Sequence, residues 1–157
     1  MDNRLKNLAE QLDAGLIARR EFLRKAAVVT GGCVRIEGWA QAVTQPGEGI
    51  RAVLGAMGAG DLVETDGTLV LRGTGAVHGI EADLADLPEL VTTVTALAAL
   101  ADSPTSIRGV GHLRGHETDR LAALTAEING LGGAVTELHD GLAVRPRPLH
   151  GGVFRTY

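Results

Sequence analysis

The chain has 157 residues, enough for one domain or a little more, and its 45% hydrophobic but only 3% aromatic content leaves the core to Ala, Val, Leu and Ile. A formal net charge of −4, with no basic stripe carrying interleaved aromatics, argues against a nucleic-acid partner. The one cysteine, Cys33, excludes an intramolecular disulfide and a thiolate metal cluster, and no apolar run reaches the roughly 18 residues of a membrane span.

Residues 1–32 predict a helical segment: Leu5, Leu8, Leu12 and Leu16 form one stripe, Phe22, Leu23, Ala26 and Ala27 continue it, and Gly31-Gly32 stops it. Residues 33–39 alternate and carry β-branched side chains, the pattern of a strand. Residues 46–58 predict a helix with Ile50, Val53, Leu54 and Met57 inward. Strands over 62–64 and 68–72 flank Thr65-Asp66-Gly67, a hairpin turn signal. Residues 80–84 read as a further strand. Pro88 then opens a helix at its first position, where a missing N–H costs nothing, and that helix runs to residue 102. Residues 105–110 are strand-like. Residues 117–131 predict an amphipathic helix with Leu121, Leu124, Ile128 and Leu131 on one face and Gly132-Gly133 as its stop. A second hairpin follows, 134–138 and 142–145, turned by Asp140-Gly141.

One order of elements occurs twice. Helix, glycine stop, strand, Asp-Gly turn and strand appear in IRAVLGAMGAGDLVETDGTLVLRG and again in LAALTAEINGLGGAVTELHDGLAVRP. Each copy is about 25 residues, which suggests two supersecondary units stacked on each other. The strand–helix–strand before the second copy extends it to a βαβαββ unit. The expected fold class is therefore α/β (α+β).

The stretch RGHETDRLAALTAEINGLGG, residues 114–133, resembles the "(R)xKETDRL" segment of the EPSP synthases and the helix that follows it. DLADLPELVTTVTALAALAD resembles the family's strand-to-helix segment, and FLRKAAVVTGGCVRIEGW its "FLAAAAVTGGTVRITGW" helix and strand. The Ala- and Gly-rich texture with HLRGHETDRLAAL looks most like the actinobacterial branch. The resemblance implies a transferase of aromatic amino acid biosynthesis: two domains, each of three βαβαββ units, joining phosphoenolpyruvate to shikimate-3-phosphate without a cofactor. It covers residues 22–157 as part of the C-terminal domain. Residues 1–21 depart from the family as a helical extension. The family's Asp-His-Arg-Met segment for phosphoenolpyruvate, a later lysine and the N-terminal domain have no counterpart here, so a fragment inactive by itself is expected.

Enolpyruvyl transfer needs a base for a hydroxyl proton, an acid for a methylene carbon, and cations for a carboxylate and a phosphate. By the resemblance, Glu89 stands for the proton acceptor that also holds shikimate-3-phosphate, although many relatives have Asp there. Glu117 stands for the carboxylate that moves protons at the methylene carbon, and Arg120 for the arginine that clamps the phosphoenolpyruvate carboxylate. His116 occupies a substrate-binding position where many members carry lysine, replacing a permanent charge by one that titrates near neutrality. Spacing alone puts Glu89, Glu117 and Arg120 in first helical turns, which attract anions, with Glu117 and Arg120 on one face. It equally allows two ordinary first-turn acids serving the helix dipole and a surface arginine.

His78, His112, His139 and His150 lack metal-ligand spacing, so no metal is expected. Gly73-Thr74-Gly75 lacks the rest of a phosphate loop, and no His–Asp arrangement adjoins Ser103 or Ser106. Arg19-Arg20-Glu21-Phe22-Leu23-Arg24-Lys25 resembles a twin-arginine export motif, but Arg35 and Glu37 follow too early and no A-x-A site appears. A cytoplasmic location is expected, with export as the alternative. The competing function is an exported or non-enzymatic domain on the same scaffold.

Overall fold

Antiparallel pairing of three strands organises the first of two units in the computed structural model, which describes residues 32–37, 49–115 and 118–153. The expected helix over 1–32 and the twin-arginine-like segment lie outside the described residues. Strand β1 (Cys33–Glu37) pairs with β3 (Thr68–Gly73), which pairs with β2 (Gly60–Thr65), giving the order β1-β3-β2. Both partners run antiparallel to β3, with Ile36 opposite Leu69 and Thr65 opposite Thr68. The turn between β2 and β3 is Asp66-Gly67, both with positive φ (49° and 70°). Two left-handed residues make a turn whose twist matches its strands, and Asp and Gly are among the few that adopt it.

The second unit contains α1 (Ile50–Ala56) and everything from Val77 onward. Its elements run β4 (Glu81–Asp83), a 3₁₀ turn (Pro88–Leu90), α2 (Val91–Ala99), β5 (Thr105–Arg108), a second 3₁₀ turn (Gly111–Gly115), α3 (Arg120–Gly130), β6 (Ala134–Leu138) and β7 (Gly141–Arg145). This is a complete βαβαββ unit with sheet order β4-β5-β7-β6. β4 and β5 are parallel, with α2 as the crossover that parallel strands need, and the remaining pairs are antiparallel.

The core follows the apolar phases. Ile107, Leu142 and Val144 face inward from the sheet, Val91, Val94 and Ala98 from α2, and Leu121 and Ile128 from α3, all buried. Leu124 packs against that cluster while partly exposed. Thr95, buried on α2, donates its hydroxyl to the Val91 carbonyl at 2.6 Å, so no polar atom is stranded there. At the end of α3 the N–H groups of Gly132 and Gly133 donate to the carbonyls of Asn129 and Ile128, satisfying the last turn. The Asn129 amide then continues into β6, donating to Val135 O at 2.9 Å and accepting from Val135 N at 2.7 Å.

Four expectations need correction. The two repeat copies exist, but the first is divided: its hairpin lies in the first unit, while Val53 and Met57 of its helix join the core of the second. The second hairpin turns on His139-Asp140, because Gly141 already pairs with Leu138 as the first residue of β7. α3 starts at Arg120 rather than at 117, because Asp119 caps it. Finally, Ser103 does acquire a neighbouring His–Asp pair, described below.

Candidate active site

Each parallel strand of the second unit feeds a helix through a connection that leaves its carboxyl end. β4 leads to Pro88–Leu90 and α2, and β5 leads to Gly111–Gly115 and α3. Because β4 and β5 are parallel neighbours, both connections leave the same end of the sheet. That end is where open α/β sheets place ligands. Glu89 stands exposed in the first connection, in the 3₁₀ turn that Pro88 opens. Arg120 stands exposed after the second, as the first residue of α3. His116 and Glu117 lie outside the described residues, and with them the helical face expected to be shared by Glu117 and Arg120.

Asp119 fixes the start of α3. Its Oδ1 accepts from Leu121 N at 3.1 Å and Ala122 N at 3.0 Å, closing two of the otherwise unpaired amides of the first turn. Its Oδ2 accepts from Arg114 Nη1 at 3.3 Å. Arg114 also pairs with Glu137 and donates through Nη2 to the Leu138 carbonyl at 2.9 Å. One guanidinium therefore ties the cap of α3 to the end of β6. The Ala122 amide, helped by the Arg114 charge, holds the Asp119 carboxyl below its ordinary range. Sequence reading passed over Arg114 and Asp119. The available signal was an Asp directly before an apolar-periodic run.

Arg120 is then anomalous. The positive end of a helix disfavours a cation in its first turn, and an acid would serve α3 better. Arg120 nevertheless stands there exposed.

The loop after β5 is gripped from the other side. Asp140 accepts from Gly109 N at 3.0 Å and Gly111 N at 3.1 Å, and its backbone carbonyl accepts from Val110 N at 3.1 Å. Those amides, first Gly111 and then Gly109, keep the Asp140 carboxyl low. The connection that carries Leu113 and Arg114 toward α3 is thereby anchored at both ends.

A second polar cluster joins the entry of β4 to the loop after α2. His78 Nδ1 lies 2.7 Å from Asp102 Oδ2, Ser103 Oγ donates to Asp102 Oδ1 at 2.8 Å, and Gly79 N donates to Ser103 Oγ at 2.8 Å. The serine thus points at the carboxylate and not at the imidazole, which is the wrong order for a nucleophile activated by a histidine. The cluster is a clasp between two loops. Among the described residues no group of His, Cys, Asp and Glu is placed to hold a metal ion, and no helix is long and apolar enough to cross a membrane.

A sequence model of the EPSP synthase (3-phosphoshikimate 1-carboxyvinyltransferase) family matches residues 20–157. The chain is 54% identical over 132 residues to the 3-phosphoshikimate 1-carboxyvinyltransferase of Kocuria rhizophila, a match covering 84% of this chain and 29% of that protein. The chain thus spans under a third of the length of this relative. Among solved structures it is similar to the EPSP synthase of Acinetobacter baumannii, with TM-score 0.56 and 23% identity over 80% of this chain and 30% of the other. It also resembles the enolpyruvyl transferase NikO of Streptomyces tendae, with TM-score 0.54 and 17% identity over 87% of this chain and 32% of the other. At these identities the likeness is one of fold.

Proposed function

This chain belongs to the EPSP synthase family, and on that footing we propose that residues 22–157 are part of the C-terminal domain of a cytoplasmic enzyme transferring the carboxyvinyl group of phosphoenolpyruvate to shikimate-3-phosphate. Arg120 carries the reading: a cation held exposed at the positive end of α3, within the residues that the family model matches, suits a substrate carboxylate. Glu89 accepts the substrate hydroxyl proton and helps hold shikimate-3-phosphate. Glu117 moves protons to and from the methylene carbon as the enol ether forms and phosphate leaves. His116 contacts substrate without the fixed charge of a lysine. Glu89 and Arg120 follow the same end of the sheet, and this common exit is what supports their acting on one substrate pair. The competing reading, an exported or non-enzymatic domain, has no feature of the fold in its favour.

The test is a chimera in which residues 22–157 replace the matched stretch of the Kocuria rhizophila enzyme, followed by phosphate release from both substrates. Turnover should be present, and Arg120→Met or Glu117→Gln should each lower it about 100–1000-fold, the scale for one charge-stabilising group. A chimera equally active with and without Arg120 would sink the assignment.

A further inference from the structure

Asp or Asn stands directly before Gly at three places in the chain, Asp66-Gly67, Asn129-Gly130 and Asp140-Gly141. With no side chain on the glycine, its amide meets little steric resistance in attacking the preceding side-chain carbonyl carbon, so the fold decides which pair is protected. Asn129 is committed: its side chain accepts from Val135 N at 2.7 Å and donates to Val135 O at 2.9 Å, and Gly130 ends α3. Asp140 is committed too. Its carboxylate oxygens accept from Gly109 N at 3.0 Å and Gly111 N at 3.1 Å, and Gly141 is buried against the Ile107 carbonyl. Asp66 has neither safeguard. It is exposed, and among the described residues neither its carboxylate nor the Gly67 N–H has a hydrogen-bond partner.

We propose that Asp66-Gly67 is a site of spontaneous covalent modification, where the aspartyl linkage converts to isoaspartyl through a succinimide. In the first step Gly67 N bonds to Asp66 Cγ while the carboxylic acid loses its hydroxyl, which leaves with the amide proton as water. Water then adds at one of the two ring carbonyls. Opening at Cγ restores aspartate, and opening at the backbone carbonyl leaves the chain running through Cβ and Cγ. No oxidant or second reactant is consumed. Closure of the ring needs the left-handed turn, with φ of 49° and 70°, to open first. Among the described residues β2 is the outer strand of the order β1-β3-β2, and Thr65 and Asp66 are exposed, so that opening breaks few contacts. The same movement at Asp140 must break its bonds to two amides of the loop after β5. The product carries an extra backbone methylene in a two-residue loop, which disturbs the pairing of Thr65 with Thr68.

The test uses the whole chain and no substrate, so its outcome is separate from that of the chimera. The chain is held at neutral pH and body temperature, sampled over time and mapped by peptide, with isoaspartyl carboxylates scored by enzymatic methylation from a labelled donor. The peptide containing Asp66 should gain an isomer of unchanged mass at least about tenfold faster than the one containing Asp140, a factor within reach of one hydrogen bond to a charged group. Asn129 should stay intact over the same period. In denaturant, where the protecting partners are gone, the rates at Asp66 and Asp140 should converge. Amide exchange at Thr65 and Thr68 should quicken as the isomer accumulates. Asp66→Glu, whose longer side chain would have to close a larger ring, should remove the signal at this turn. Equal rates in the folded chain, a ratio that survives denaturant, or an Asp66 that stays intact when folded but isomerises when denatured would overturn the proposal.

Discussion

Asp119 and Arg120 are adjacent at the start of α3, and helix electrostatics treats them in opposite ways. Asp119 closes two first-turn amides and accepts from Arg114, so Asp119→Ala should speed amide exchange of Leu121 and Ala122 and lower the melting temperature. Arg120 adds nothing to that network among the bonds of the described cap, and Arg120→Ala should leave stability within about 0.5 kcal/mol of the parent. A pH dependence follows with a fixed sign. Asp119, Asp140 and Asp102 are all held below their ordinary value, by the amides of Ala122 and of Gly111 and by the Ser103 hydroxyl respectively. Groups depressed by folding contribute stability above the unfolded carboxylate range and lose it as pH falls through their folded values. Melting temperature should therefore decline with acidification below about pH 4, and less steeply in Asp119→Ala. An Arg120→Ala variant as unstable as Asp119→Ala would refute the division of labour between the two.

At the scale of elements, the same dipeptide serves two kinds of physics. Asp66-Gly67 forms a left-handed hairpin turn, whereas Asp140 grips the loop after β5 and Gly141 opens β7. A Cβ on Gly141 would fall on the carbonyl oxygen of Ile107 in the adjacent strand. Gly67→Ala should cost about 1 kcal/mol, the penalty of a left-handed residue. Gly141→Ala should cost about 3 kcal/mol, because backbone must move to make room. Amide exchange within each hairpin measures both, and equal effects would show that Gly141 is a turn residue after all. This contrast marks what can be read from sequence. Alternation and the Asp-Gly signal located both hairpins, and Leu121 and Ile128 announced the buried face of α3. The roles of Asp140 and Gly141 depend on which strand lies alongside, and periodicity carries no information on neighbours distant in sequence. The start of α3 was misplaced for a related reason: residues 117–119 are polar throughout, and only the cap geometry distinguishes Asp119 as the boundary.

At the scale of the molecule, the complete βαβαββ unit and the common exit of two helices from one sheet end give Glu89 and Arg120 a scaffold, yet a scaffold is not turnover. Stabilisation of transition-state charge is usually the largest catalytic contribution, and each well-placed group accounts for about 100–1000-fold. The 132 matched residues span 29% of the Kocuria rhizophila relative. On the reading proposed above, Glu89, Glu117 and Arg120 are part of a larger set of groups in the family's enzyme, so several such contributions are missing when residues 1–157 are assayed alone. Closure of one domain on another, which would exclude water from the reacting enol ether, also needs the second domain. The 157-residue chain by itself should release no phosphate from the two substrates above the uncatalysed background, even with Glu89 and Arg120 correctly held. The assay is decisive when run beside the chimera, because the chimera reports whether these residues are competent and the isolated chain reports whether they suffice. Turnover by the chain alone, abolished by Arg120→Met, would mean that one βαβαββ unit and its helix ends carry far more of the reaction than charge and closure arguments allow.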